Sequence, residues 1–214
     1  MIDVSQHLGA LVREVSSREV DGRPARVVTA TRTYDTDVED LWDALTSAER
    51  IPRWFLPISG ELKLGGRYQL QGQAGGEIQR CEPPRLLGVT WENGGDVSWV
   101  TVRLEAEGEA RTQLTLEHVA HVKPEFWDQY GPGAVGVGWE LLFVGMALHL
   151  RTGEQVDSNA FEAWTLSEDG KRFIRGSSQG WGDAALRDGA DRAWAQAAVA
   201  RTSAFYTGEP SPDA

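Results

Sequence analysis

The chain has 214 residues, with 21 Lys and Arg against 32 Asp and Glu, a formal net charge of −11. That length suits one large domain, or one domain with an appendage, and buries a core without disulfide or metal staples. The acidic balance disfavours nucleic acid and anionic membrane surfaces as partners, and the one cysteine, Cys81, excludes an intrachain disulfide and fits a reducing, cytoplasmic setting.

The N-terminal stretch "MIDVSQHLGALVREVSSREVDG" shows no basic segment followed by an apolar one, so no signal peptide is expected. No uninterrupted apolar run approaches the length of a bilayer span. Leu8, Leu11, Val12 and Val15 suggest a short amphipathic helix. "DGRPA" reads as a turn and "ARVVTATRTY" as a strand. Thr36 precedes Glu39 at capping-box spacing, and Val38, Leu41, Trp42 and Leu45 then mark one buried face of a helix. "TSAERIPRWF" continues as a broken second helix, with Pro52 in a first turn or a break.

Ile58 to His121 reads as strands and turns. Leu62 and Leu64 alternate with polar neighbours, and Gly65-Gly66, Gly75-Gly76 and Gly94-Gly95 read as tight turns. Leu87, Val89 and Trp91 share a face, as do Val100, Val102 and Leu104, and Leu114, Leu116 and His118. Consecutive short strands joined by turns predict an antiparallel meander. "EFWDQYGPGAVGVG" reads as an irregular loop, and "WELLFVGMALHLR" as a helix apolar almost all round. Gly170 to Gly189 and Asp191 to Tyr206 form a helical hairpin, with Phe173, Ile174, Trp181 and Ala185 on one side of the first helix, and Trp194, Ala198 and Phe205 on the second. "TGEPSPDA" reads as a frayed tail. The division expected is an N-terminal extension over 1–22, a main domain over 23–152, and a helical extension with its tail over 153–214.

Four ordered pieces carry a resemblance: "VEDLWDALTSAERIPRWFLPISGELKLGGRYQL", "GEIQRCEPPRLLGVTW", "TQLTLEHVAH" and "GVGWELLFVGMALHL". Together they resemble the SRPBCC (START-like) superfamily. Within it the chain is similar to homologues of the activator of heat-shock-protein ATPase, close to polyketide-cyclase-like proteins. The match spans about residues 25 to 150, and the part beyond looks like an extension seen in some bacterial relatives. The resemblance implies an α+β helix-grip fold of the START and birch-pollen-allergen type. A curved antiparallel sheet would surround a long helix, with a mostly apolar cavity between them. Members bind lipids, hormones, polyketides and other hydrophobic molecules.

On that fold, Trp54 and Phe55 would border the cavity mouth, where the alternative is plain core packing. His118 ends an inward face and is a candidate polar handle for a ligand, or a satisfied core histidine. Arg80 shares a face with Ile78, so it is expected to point inward and pair with an anionic ligand group or a carboxylate. Tyr68, Trp91 and Trp139 complete the candidate ligand-binding set, with core packing the competing reading for each. Cys81 reads as a small buried apolar residue.

His118 and His121 are three apart on a strand and face opposite sides, so no metal site is expected. "GPGAVG" matches a G-x-G-x-x-G pattern but lacks a parallel βαβ unit, so no dinucleotide or other cofactor is expected. No catalytic set is assigned. The function expected is binding of a small hydrophobic ligand, aromatic or lipid-like, inside the cell, by a monomer or homodimer. The alternatives are a cyclase, aromatase or hydratase using the same cavity through His118, Tyr68, Glu77 or Arg80, and a chaperone-associated interaction role.

Overall fold

The computed structural model describes residues 2–211. Its elements are α1 (Val4–Gly9), β1 (Leu11–Val20), β2 (Arg23–Tyr34), α2 (Val38–Thr46), a 3-10 helix (Ile51–Arg53), β3 (Ile58–Gly60), β4 (Arg67–Leu70), β5 (Gly75–Glu82), β6 (Leu86–Asn93), β7 (Asp96–Ala106), β8 (Thr112–Ala120), α3 (Pro124–Tyr130), α4 (Gly133–Thr152), α5 (Ser158–Leu166), α6 (Glu168–Arg187) and α7 (Arg192–Thr207). The eight strands form one sheet in the order β1-β2-β8-β7-β6-β5-β4-β3. This is the α+β helix-grip class: a curved antiparallel sheet with a long helix and appended C-terminal helices. The chain divides into two compact units. One comprises residues up to Ala30, Val122–Leu141 and residues from Asp157 on; the other comprises Thr31–His121 and Leu142–Val156.

In the second unit, β3 to β8 run as an antiparallel meander in sequence order. Gly94 and Gly95 both take positive φ and close the β6–β7 hairpin, as their pairing in sequence suggests. Gly65, at φ +75, also lies in a turn before β4, closed by Gly66 N donating to the Lys63 carbonyl at 2.8 Å, as expected. The third pair acts differently. Gly75 and Gly76 are inside β5, and the turn before them is made by Gly72 at φ +68. A Cβ on Gly76 would stand 2.0 Å from the Thr90 carbonyl oxygen, so this glycine permits a close backbone approach rather than a turn. Leu62 and Leu64 lie between β3 and β4 rather than in a strand, and Leu64 is exposed. The α2 cap is Asp37, one residue after the expected Thr36. Its carboxylate accepts from Asp40 N at 2.7 Å, while Thr36 Oγ1 donates to Asp40 Oδ2. Pro52 sits in the first turn of the 3-10 helix, as expected.

In the first unit, Leu11 to Val15 are strand, not helix. Asp21 and Gly22, at φ +52 and +72, form a two-residue hairpin turn that draws β1 against β2. A helix this short has little stability of its own, so pairing wins. Leu11 and Val15 are buried either way, because a spacing of four satisfies both periods. The expected loop over 125–138 is helical instead: α3, started by Pro124 and ended at Gly131, φ +59, and then the first turns of α4. The glycines beyond it let helices dock closely. A Cβ on Gly136 would come within 2.1 Å of the Trp181 ring, and one on Gly133 within 3.0 Å of Thr202.

The helices α6 and α7 match the expected hairpin, with Phe173, Ile174, Trp181 and Ala185 buried; α5, capped by Asp157, was not anticipated. Phe205 is exposed rather than on the covered side of α7. The expected tail begins inside α7 at Thr207 and is tied down at Glu209, which pairs with Arg175 and Lys171; residues 212–214 lie outside the described residues.

The helix α4 is long and apolar enough, by length and composition, to cross a membrane, although Glu140 and Arg151 interrupt its apolar run; more than half of it is buried in the protein, as in a core helix. Within the first unit its Glu140 is 2% exposed and accepts two hydrogen bonds from Arg13, at 2.7 and 2.8 Å. The bidentate geometry makes this pair strong.

Candidate functional site

The pleat gives the second unit's sheet one continuous face. Register sets Ile78, Val89, Val100 and His118 in a row across β5, β6, β7 and β8. The neighbouring row carries Tyr68, Gly76, Trp91, Ser98 and Ala120. Leu87, Val102 and Leu116 form a third row. Ile51, Tyr68, Leu70 and Ile78 are the buried centre of an apolar cluster, and Phe55, Leu56, Ile58, Leu62, Cys81, Leu87, Val89 and Trp91 pack against it. Five of the seven expected site residues therefore gather here: Phe55, Tyr68 and Trp91 in the cluster, Trp54 stacked on Phe55 with ring centroids 5.7 Å apart, and His118 beside Ser98.

Each is held by a specific contact. Trp54 Nε1 donates to the Ala44 carbonyl at 2.9 Å, which ties the segment after the 3-10 helix to α2. Tyr68 reaches over the bare Gly76 and donates to the Thr90 carbonyl at 2.8 Å; burial raises its phenol pKa, so the hydroxyl stays protonated. His118 Nε2 lies 2.8 Å from Ser98 Oγ, and Ser98 Oγ donates to the Trp91 carbonyl at 3.1 Å. A hydroxyl has one proton to give. With that proton on Trp91, Ser98 accepts from Nε2–H, which fixes the imidazole tautomer. Burial lowers the His118 pKa to about 4, so the ring is neutral at physiological pH.

Two expected residues fall elsewhere. Arg80 is exposed and pairs with Glu82 at 2.8 Å. The cause is a bulge between Ile78 and Arg80: the register moves from Ile78↔Val89 to Cys81↔Leu87, so Cys81 takes the inward position and Arg80 turns out. Trp139 is half-buried on the part of α4 that belongs to the first unit.

Three polar residues of the second unit were missed by sequence reasoning. Arg32 and Tyr34 are buried near the end of β2; both donate toward the Phe143 carbonyl of α4 at 3.5 Å, and the guanidinium stands 4.9 Å over the Tyr34 ring. The signal was present, since Ala30, Arg32 and Tyr34 alternate with threonines in "TATRTY". His149, also buried, has Nδ1 at 2.7 Å from the Glu154 carbonyl and accepts from Arg50 Nε at 3.1 Å, while Arg50 pairs with Asp40 and Asp43. His121 packs edge-on against Trp99, apart from His118, and no group of three metal-ligating side chains assembles among the described residues.

The comparisons with known proteins agree with the fold. The model of the family "Activator of Hsp90 ATPase homolog 1-like protein" matches residues 35–150. The chain belongs to this family. It is the SRPBCC-type family the sequence resembles. The crystal structure of CalU16 from Micromonospora echinospora is 32% identical, with 82% of this chain and 98% of that chain covered at a TM-score of 0.65. The solution structure of the same protein gives 31% identity, 84% and 97% coverage, and a TM-score of 0.69. DynU16, described as a putative protein in the dynemicin biosynthetic locus, is similar in fold, at 23% identity, 60% and 48% coverage, and a TM-score of 0.52. No curated protein matches the chain. This Hsp90-activator-like family member shares its fold with CalU16 and DynU16.

Proposed function

We propose that the protein binds a small hydrophobic molecule, aromatic or lipid-like, on the apolar sheet face around Tyr68, Trp91 and His118. The observation that carries this reading is the chain from His118 through Ser98 to the Trp91 carbonyl, a neutral, oriented imidazole set in rows of Ile, Val and Leu. Apolar walls supply affinity, and one placed polar group supplies orientation. Trp54 and Phe55 form the aromatic border of the same surface.

Binding is favoured over turnover by the same imidazole. A group whose conjugate acid forms only near pH 4 is a hydrogen-bond partner at neutral pH and a poor general base there. The test is native mass spectrometry of gently purified protein, with the bound fraction extracted. The reading expects a retained small hydrophobic molecule that is lost in Trp91→Ala. A protein that stays empty, and also fails to bind any of a panel of aromatic and acyl-chain compounds, overturns it.

A further inference from the structure

The first unit ends its side of the sheet with a long strand. The strand β1 has 10 residues and is last in the order, so among the described residues no other strand pairs with its second edge. Such an edge is a template for another strand. Its geometry follows from the turn. A two-residue loop with positive φ at Asp21 and Gly22 makes Val20 and Arg23 a hydrogen-bonded pair. Even-numbered residues of β1 then direct their backbone groups toward β2, and odd-numbered ones toward the open edge. Two contacts agree: Arg187 Nη2 donates to the Arg13 carbonyl at 3.0 Å, and Arg13 Nη1 to the Leu11 carbonyl at 3.3 Å. Beyond Val15 the strand stands clear of the core, with Ser16, Ser17, Arg18 and Glu19 all exposed.

We infer that this edge pairs antiparallel with the same edge of a second copy of the chain, centred on Ser16. The charge pattern selects that occupant. In "VREVSSREV", Val12 to Val20, a two-fold axis at Ser16 sets Glu14 opposite Arg18 of the partner copy, and Arg18 opposite the partner's Glu14. On the same face, Val12, which is 61% exposed, meets the partner's Val20. On the other face Arg13 lies opposite the partner's Glu19, and Val15 opposite the partner's Ser17. Sliding the copy by two residues sets Glu14 against Val20 or Ser16, and both charge pairs are lost; sliding it by four sets Arg18 or Glu14 against itself. The pattern therefore specifies one register. Pairing replaces the exposed Arg187 bond at the Arg13 carbonyl with the partner's Glu19 N–H. The ligand-binding reading does not enter this inference.

The test is sedimentation equilibrium of the full chain and of three variants. The wild type is expected to show a reversible monomer–dimer equilibrium. Glu14→Arg and Arg18→Glu each turn two attractive cross-strand pairs into repulsive ones, which weakens the dimer at least about tenfold. The double variant, Glu14→Arg with Arg18→Glu, restores opposite charges across the axis and restores the dimer. Both changes are on exposed positions, and a thermal melt checks that each variant is folded. A wild type that stays monomeric up to millimolar concentration overturns the inference. So does a dimer indifferent to either single change, or a folded double variant that fails to recover.

Discussion

Acid should destabilise this protein through His118 in a way that a single substitution removes. The imidazole is 8% exposed, and burial lowers its pKa from 6.5 to about 4. The unfolded chain therefore binds a proton first as the pH falls. Stability held by the neutral ring is complete above 6.5 and is lost between 6.5 and about 4. Integrating that difference gives a loss of about 2 kcal/mol at about pH 5, and about 3 kcal/mol below both pKa values. Acid acts on the rest of the chain as well, so the measurement is a comparison. Urea unfolding of wild type and His118→Gln at neutral pH and at about pH 5 gives two acid-induced losses. The wild-type loss should exceed that of the variant by about 2 kcal/mol. Parallel pH profiles would refute the argument, because they would mean that the ring is hydrated or paired in its charged form.

The remaining predictions concern packing, the buried pair and the corrected arginine. Gly76→Ala should cost about 3 kcal/mol in denaturant unfolding, because the added methyl meets the Thr90 carbonyl; a loss under about 1 kcal/mol would show that the β5–β6 approach is not tight. Glu140→Ala should cost about 3–5 kcal/mol, since it strands the Arg13 guanidinium in a buried site, whereas Arg13→Met with Glu140→Leu should recover most of that loss by thermal melt. Arg80→Ala should change stability by no more than about 0.5 kcal/mol and leave ligand binding unaltered, since its partner is the exposed Glu82; a loss of binding would return Arg80 to the site.

Most of the sheet was legible because period-two burial is a local signal. Val100, Val102 and Leu104 opposite His118, Leu116 and Leu114 could be read from alternation alone. Family resemblance then supplied the architecture that alternation cannot. The failures have physical causes of three kinds. Arg80 was misplaced because a bulge adds one residue, which reverses every later side chain in the strand, and no local residue type marks it. Leu11 to Val15 were misread because spacing by four fits helix and strand equally, and only the pairing imposed by Asp21-Gly22 decides between them. Arg32 and His149 were passed over because a charged or polar residue inside an apolar element reads as noise. Burial converts each into an organised group, Arg32 over Tyr34 and His149 between Arg50 and the Glu154 carbonyl.

The central claim is that the face around Tyr68, Trp91, Ser98 and His118 holds a hydrophobic guest. The most direct test is fluorescence titration with Nile red, a neutral polarity-sensitive dye, against wild type and Ser98→Trp, whose added indole fills the row beside His118. The account predicts saturable one-to-one binding to wild type, with a blue-shifted emission, and binding weakened at least about tenfold in a variant that remains folded. Equal binding to both proteins would contradict it and put the guest elsewhere.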